Sequence, residues 1–136
     1  MPSSSLLDKL NEAPEAVYEK LDAEKSKRMA GAASNYIPSV KDVAKNIRAI
    51  PVGETRTIDD LRDAMAKTAK TDTACPAKTI KYWKWMANLD DKELRSNAQY
   101  NIPWWRVLKD GKPSRHMPGG VENQKSLLAK EGVVVK

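Results

Sequence analysis

The chain has one thiol, Cys75, and one imidazole, His116. Cys75 directly precedes Pro76, at a predicted helix start where the helix dipole and nearby lysines would lower a thiol pKa. No histidine lies near it in sequence, however, and a lone cysteine usually behaves as a small buried hydrophobe. The other concentration of chemistry is electrostatic. Residues 76–116 hold nine Lys or Arg and four Asp or Glu, so they carry +5 of the chain's formal +6. They also hold six of its eight aromatic residues: Tyr82, Trp83, Trp85, Tyr100, Trp104 and Trp105. Cations interleaved with flat rings suit nucleic acid, since ammonium and guanidinium groups meet phosphates and rings stack on bases. The same composition also describes a Trp-rich core under a solvated charged surface, and composition alone does not separate the two.

The remaining composition narrows the classes. A length of 136 residues suits one domain with an extension. A single cysteine excludes an internal disulfide framework and a multi-cysteine zinc site. With one histidine, a zinc enzyme or a Ser-His-Asp hydrolase has little to draw on. No apolar run approaches the roughly 20 residues that a membrane helix needs, and Met1–Asp8 lacks the basic start and apolar centre of a secretory signal. The expectation is a cytoplasmic (nucleoid-associated or nuclear), monomeric binding protein without metal or cofactor.

The elements that must position these groups can be read in order. Leu6, Leu7 and Leu10 share one face of a short helix, and Pro14 opens a second, predicted to run to about Met29. Gly31–Asn35 reads as a linker. Residues 1–38 are therefore expected to be a helical extension with some freedom to move, ahead of a domain over 39–136. Ser39-Val40-Lys41-Asp42 and Thr57-Ile58-Asp59-Asp60 are capping-box-like helix starts. The first precedes a helix with Val40, Val43, Ala44, Ile47 and Ile50 at helical spacing; the second precedes one reaching about Thr68. A third helix is predicted over about 77–89. At about 100° per residue it places Ile80, Trp83 and Ala87 on one side, and Lys78, Lys81, Lys84 and Trp85 on the other, with Tyr82 at the edge. Helix, connector and basic-faced helix outline a helix-turn-helix reader. Residues 90–100 read as a loop, Lys109-Asp110-Gly111-Lys112 as the tight turn of a basic hairpin or wing, and residues 121–131 as a final helix that Gly132 caps.

Ile102-Pro103-x-x-Arg106-Val107, then Gly119-Gly120, Lys125, Leu127-Leu128 and Glu131-Gly132, resemble the signature of the alkylguanine-DNA alkyltransferases, Ile-Pro-Cys-His-Arg-Val followed by Gly-Gly and Lys-x-x-Leu-Leu-x-x-Glu-Gly. Upstream, Ile50-Pro51-x-Gly53, Thr57 and Asp60-Leu61 resemble that family's entry into its helix-turn-helix. The resemblance covers about residues 39–135. It implies a mostly α, α+β winged helix-turn-helix domain that binds double-stranded DNA. In the family, the motif cysteine takes the alkyl group from a flipped guanine; here its position holds Trp104, and the adjacent histidine's position holds Trp105. The chain is closest to the alkyltransferase-like branch, which has Trp in place of that Cys and recognises damage without repairing it, but the branch keeps the histidine. The family's entry Tyr falls at Ile58, its Arg finger at Lys78 and its pocket Tyr at Met117.

The resemblance thus implies a non-enzymatic protein that recognises alkylated or distorted DNA and flags it for repair proteins. The alternatives are a general DNA-binding or regulatory module and, third, an enzyme using Cys75. The expected DNA contacts are Lys78, Lys81, Lys84, Trp85, Arg106, Lys109, Lys112 and Arg115. Trp104, Trp105, Met117, Gly119 and Gly120 are expected around a base pocket, with Trp104 either lining it or plugging it. Asn101, Pro103 and Glu131 are expected to support the turn. Glu131 is free to accept from the Trp105 indole N–H, and Arg106 has turn carbonyls as an alternative to phosphate.

Overall fold

Short polar side chains at helix starts set much of the architecture of this computed structural model, which describes residues 5–135. Ser39 accepts from the Asp42 amide while Asp42 accepts from the Ser39 amide, opening α3 (Val40–Arg48). Thr57 and Asp60 make the same reciprocal pair at α4 (Ile58–Ala69). Both capping boxes lie where the sequence predicts them. A third, Asp90 with Glu93, opens a short helix, α6 (Asp91–Ser96), inside the stretch read as a loop. Its two exposed turns bury no side chain, so no apolar periodicity marks it.

Ahead of α3 lie α1 (Leu6–Glu12), β1 (Val17–Lys20), α2 (Ala23–Arg28) and β2 (Ser34–Ile37). The single helix predicted from Pro14 to Met29 is therefore a strand followed by a helix. Val17 and Tyr18 favour an extended chain, β1 pairs antiparallel with β2, and Asp22 caps α2 by accepting from the Lys25 amide. The Gly31–Asn35 stretch read as a linker leads directly into β2, where Asn35 and Tyr36 are buried. The Tyr36 and Tyr18 rings meet at a steep angle with centres 5.1 Å apart, and the Tyr36 hydroxyl donates to Asp42 of the α3 cap. Burial, reinforced by that carboxylate, raises its pKa well above the usual tyrosine value.

The connector after α4 leaves the helix through Lys70 in the left-handed region and becomes β4 (Thr73–Ala74), which adds in parallel to β2. This is why it is longer than a minimal turn: it completes the three-stranded sheet β1-β2-β4. Helix α5 (Pro76–Ala87) follows, with Pro76 in its first turn. Two 3-10 turns, Ala98–Tyr100 and Trp104–Arg106, lead to β5 (Val107–Leu108), which pairs in parallel with β3 (Arg56–Thr57). The chain ends with α7 (Gly120–Ala129) and a left-handed Gly132. Val43, Ile47, Leu61, Met65, Trp83, Met86, Val107 and Leu128 are among the buried side chains at the centre. The result is the expected mostly helical α+β fold.

Candidate nucleic-acid interface

Helix α5 carries the basic face, but its buried stripe is wider than the sequence suggests. Thr79, Tyr82, Trp83, Met86 and Ala87 are buried, whereas Ile80 is only half-buried. Helical periodicity places Tyr82 at the edge of the exposed face, whereas the fold leaves it 1% exposed. Trp85, expected on the DNA side, is half-buried and packs against the core. The physical reason is that α5 is packed on several sides, by α1, α3 and α4, so that Tyr82 joins the core and Trp85 packs against it. Lys81 remains exposed, and Lys78 and Lys84 are partly so. The Lys78 ammonium stands 5.8 Å from the Tyr82 ring centre and that of Lys81 5.5 Å from the Trp85 ring centre.

The buried Trp83 ties this helix to the aromatic turn. Its indole N–H donates to the Trp104 carbonyl at 3.0 Å. Trp104 and Trp105 are both partly exposed, and their rings meet edge to face with centres 5.8 Å apart. The backbone that follows is held by Gln124, a fully buried side chain of α7. It accepts from the Ser114 amide and donates to the carbonyls of Trp105 and Val107, at 2.8–3.0 Å. Sequence reasoning missed this residue. Its signal was a lone polar side chain in phase with Val121 and Leu128 on the inward face of α7.

Arg106 is committed internally. Its guanidinium makes a two-pronged contact with Glu131, at 2.9 and 2.7 Å, and donates to the Ile50 carbonyl at 2.8 Å. Their side chains are 12% and 14% exposed. This corrects its placement among the phosphate contacts and realises the carbonyl alternative. Glu131 therefore supports the turn through Arg106. The hydrogen bond from Arg106 holds the Glu131 carboxyl below its usual range against the opposing effect of burial, with smaller contributions from Trp105 and the Gly53 amide. The Trp105 indole N–H is buried and makes no hydrogen bond. Arg106 is held above its ordinary value by the same pair.

Around the turn, Asn101 is exposed and Pro103 flanks the second 3-10 segment. The predicted basic hairpin is present as a tight turn: Asp110 and Gly111 both take positive φ, and Lys109 and Lys112 exchange two backbone hydrogen bonds. This is the backbone of a type I′ turn. β5 pairs with β3 and not with a second wing strand, so the hairpin is a single bridge. Lys109, Lys112 and Arg115 are exposed. Met117 is 3% exposed. Gly119 and Gly120 both adopt positive φ, and a Cβ at Gly119 would stand 2.5 Å from the Asn123 Cβ. Two cavities in the structure lie elsewhere, against α3; neither is lined by Trp104, Trp105 or Met117. Cys75 is the residue before α5, half-buried and unbridged, and His116 is exposed. Tyr82 is raised above its ordinary pKa by burial and, secondarily, by the nearby Cys75.

The DNA-binding domain of 6-O-methylguanine DNA methyltransferase matches residues 38–133. The chain belongs to the 6-O-methylguanine DNA methyltransferase family. The match takes in α3 to α7, including the basic helix, the aromatic turn and the Lys109–Lys112 hairpin. Its family domain makes DNA this chain's partner class. No curated protein and no solved structure gives a significant match.

Proposed function

We propose that this protein is a non-enzymatic, alkyltransferase-like member of the family that recognises alkylated or distorted double-stranded DNA and marks it for repair proteins. The observation that carries the reading is the aromatic turn. Trp104 and Trp105 occupy the positions that the sequence signature gives to the acceptor thiol and its histidine. An indole ring is not a nucleophile comparable to a thiolate, so stoichiometric alkyl acceptance has no acceptor at that point. The turn is nonetheless held in place, by Trp83 from α5 and by Gln124 from α7. A positioned, partly exposed aromatic pair beside a basic helix suits stacking against a base, with Lys78, Lys81, Lys84, Lys109, Lys112 and Arg115 meeting the backbone.

A second reading, a DNA-binding or regulatory module without damage sensing, is favoured by the burial of Met117 and by the internal commitment of Arg106. Titration with two matched duplexes, one carrying an alkylated guanine, separates the readings. Preference for the modified duplex supports damage recognition; equal affinity supports the plain module. Incubation with alkylated DNA should leave the protein's intact mass unchanged. An added alkyl mass that disappears in Cys75→Ser would establish the enzymatic alternative.

A further inference from the structure

The N-terminal helix lies outside the residues matched by the family domain, yet it packs on the basic helix α5. It is anchored there. Leu10 is buried, Leu6 and Leu7 pack against the core, and the Tyr100 hydroxyl donates to Asn11 Oδ1 at 2.6 Å. The anchoring fixes where the exposed Lys9 projects: its ammonium stands 5.8 Å from the centre of the Trp85 ring. Lys81 of α5 stands 5.5 Å from the centre of the same ring. Trp85 and Tyr82 are neighbours, with ring centres 5.8 Å apart, and Lys78 stands over Tyr82. Among the described residues, none of the three lysines forms an ion pair. The acidic residues of α1, Asp8 and Glu12, are exposed and lie outside salt-bridge distance of Lys9.

We propose that α1 extends the DNA-binding face beyond the family domain: Lys9 and Lys81, converging on Trp85, form a seat for a phosphate of the duplex backbone. The proposal rests on the reading that α5 faces DNA. An exposed cation–π contact is worth only about 0.5–1 kcal/mol, so neither ammonium is committed to the ring. A phosphate met by both groups is neutralised and releases its counterions. The seat is continuous with the lysines of α5, which is why the occupant is duplex DNA.

The test is the salt dependence of binding of the full chain to an unmodified short duplex, followed by fluorescence anisotropy. Lys9→Gln is expected to weaken binding about threefold to tenfold at low salt and to reduce the slope of log K against log salt by about 0.9, one phosphate contact. Lys9→Arg is expected to retain both. Lys20→Gln, an exposed lysine on β1, is expected to change neither. Unchanged affinity and slope in Lys9→Gln, while Lys81→Gln weakens binding, would overturn the seat and leave the DNA-facing role of α5 standing. Tighter binding by Lys9→Gln would also overturn it, marking α1 as a cover over the basic helix. No binding by the wild-type chain would overturn the DNA-facing reading of α5 together with the seat.

Discussion

Arg106 and Glu131 show how one side-chain pair can hold three stretches of chain. The pair joins the aromatic turn to the end of α7, and the third Arg106 bond reaches the Ile50 carbonyl beyond α3. Because both side chains are largely buried, removing one partner strands the other's charge. Glu131→Ala should cost about 2–4 kcal/mol, measured by chemical denaturation. The pH dependence follows from the lowered Glu131 pKa. The unfolded glutamate has its ordinary value of about 4.5, so the stabilisation is fully present above that pH. It is lost as pH falls through the lower folded value, and the acid limb of the stability curve should flatten in Glu131→Ala. Gly119 is a second sensitive point, because its φ of +73° and the nearby Asn123 both oppose a side chain. Gly119→Ala should lower stability by about 1–3 kcal/mol, seen as a reduced Tm. Trp104→Ala is a test of function instead. If its exposed face stacks on a base, binding should weaken by about 1–3 kcal/mol with the fold intact. Unchanged affinity would make Trp104 a plug.

At the scale of elements, Gln124 links α7 to the aromatic turn and to both flanks of the Lys109–Lys112 hairpin through one donor and one acceptor group. Gln124→Leu keeps the volume but leaves the Ser114 amide and the carbonyls of Trp105 and Val107 without this partner. Losing these bonds in a buried site should cost about 2–4 kcal/mol, and Lys109 to Arg115 should gain amide hydrogen exchange before the rest of the chain. What the sequence made legible at this scale, and what it hid, has a common cause. Local signals are readable: the Ser39 and Thr57 capping boxes, Pro76 in the first turn of α5 and Asp110-Gly111 in the hairpin turn each act within a few residues of themselves. Pairings across the chain are not. β1 exists because β2 is beside it, and β2 is held by β4 from the helix connector. Tyr82 is buried and Trp85 half-buried because α1, α3 and α4 all pack on α5, and nothing within α5 announces α1 as a partner. The same limit separates the site residues. The basic lysines could be placed from periodicity, whereas the commitment of Arg106 to Glu131 and the role of Gln124 needed the folded chain.

For the molecule as a whole, the uneven charge is the property with the clearest consequence. Nearly all of the net +6 comes from residues 76–116, and the fold leaves Lys81, Lys109, Lys112 and Arg115 exposed and Lys78 and Lys84 partly so. Each phosphate neutralised by such a group releases condensed counterions, so log K should fall linearly with log salt, at about 0.9 per contact on duplex DNA. Arg106 should contribute nothing to that slope, since its guanidinium is already occupied inside the protein. Lys84→Ala and Lys112→Ala should each reduce the slope by about one contact and weaken binding to modified and unmodified duplexes alike. Lys78 should behave in the same way, because a compact ammonium lacks the planar group that could stack in the gap left by an extruded base. Lys78→Arg should keep affinity while supplying that plane. Should Lys78→Ala instead abolish discrimination between alkylated and normal DNA, leaving affinity for normal DNA intact, Lys78 would be acting in the base stack and not as a phosphate contact.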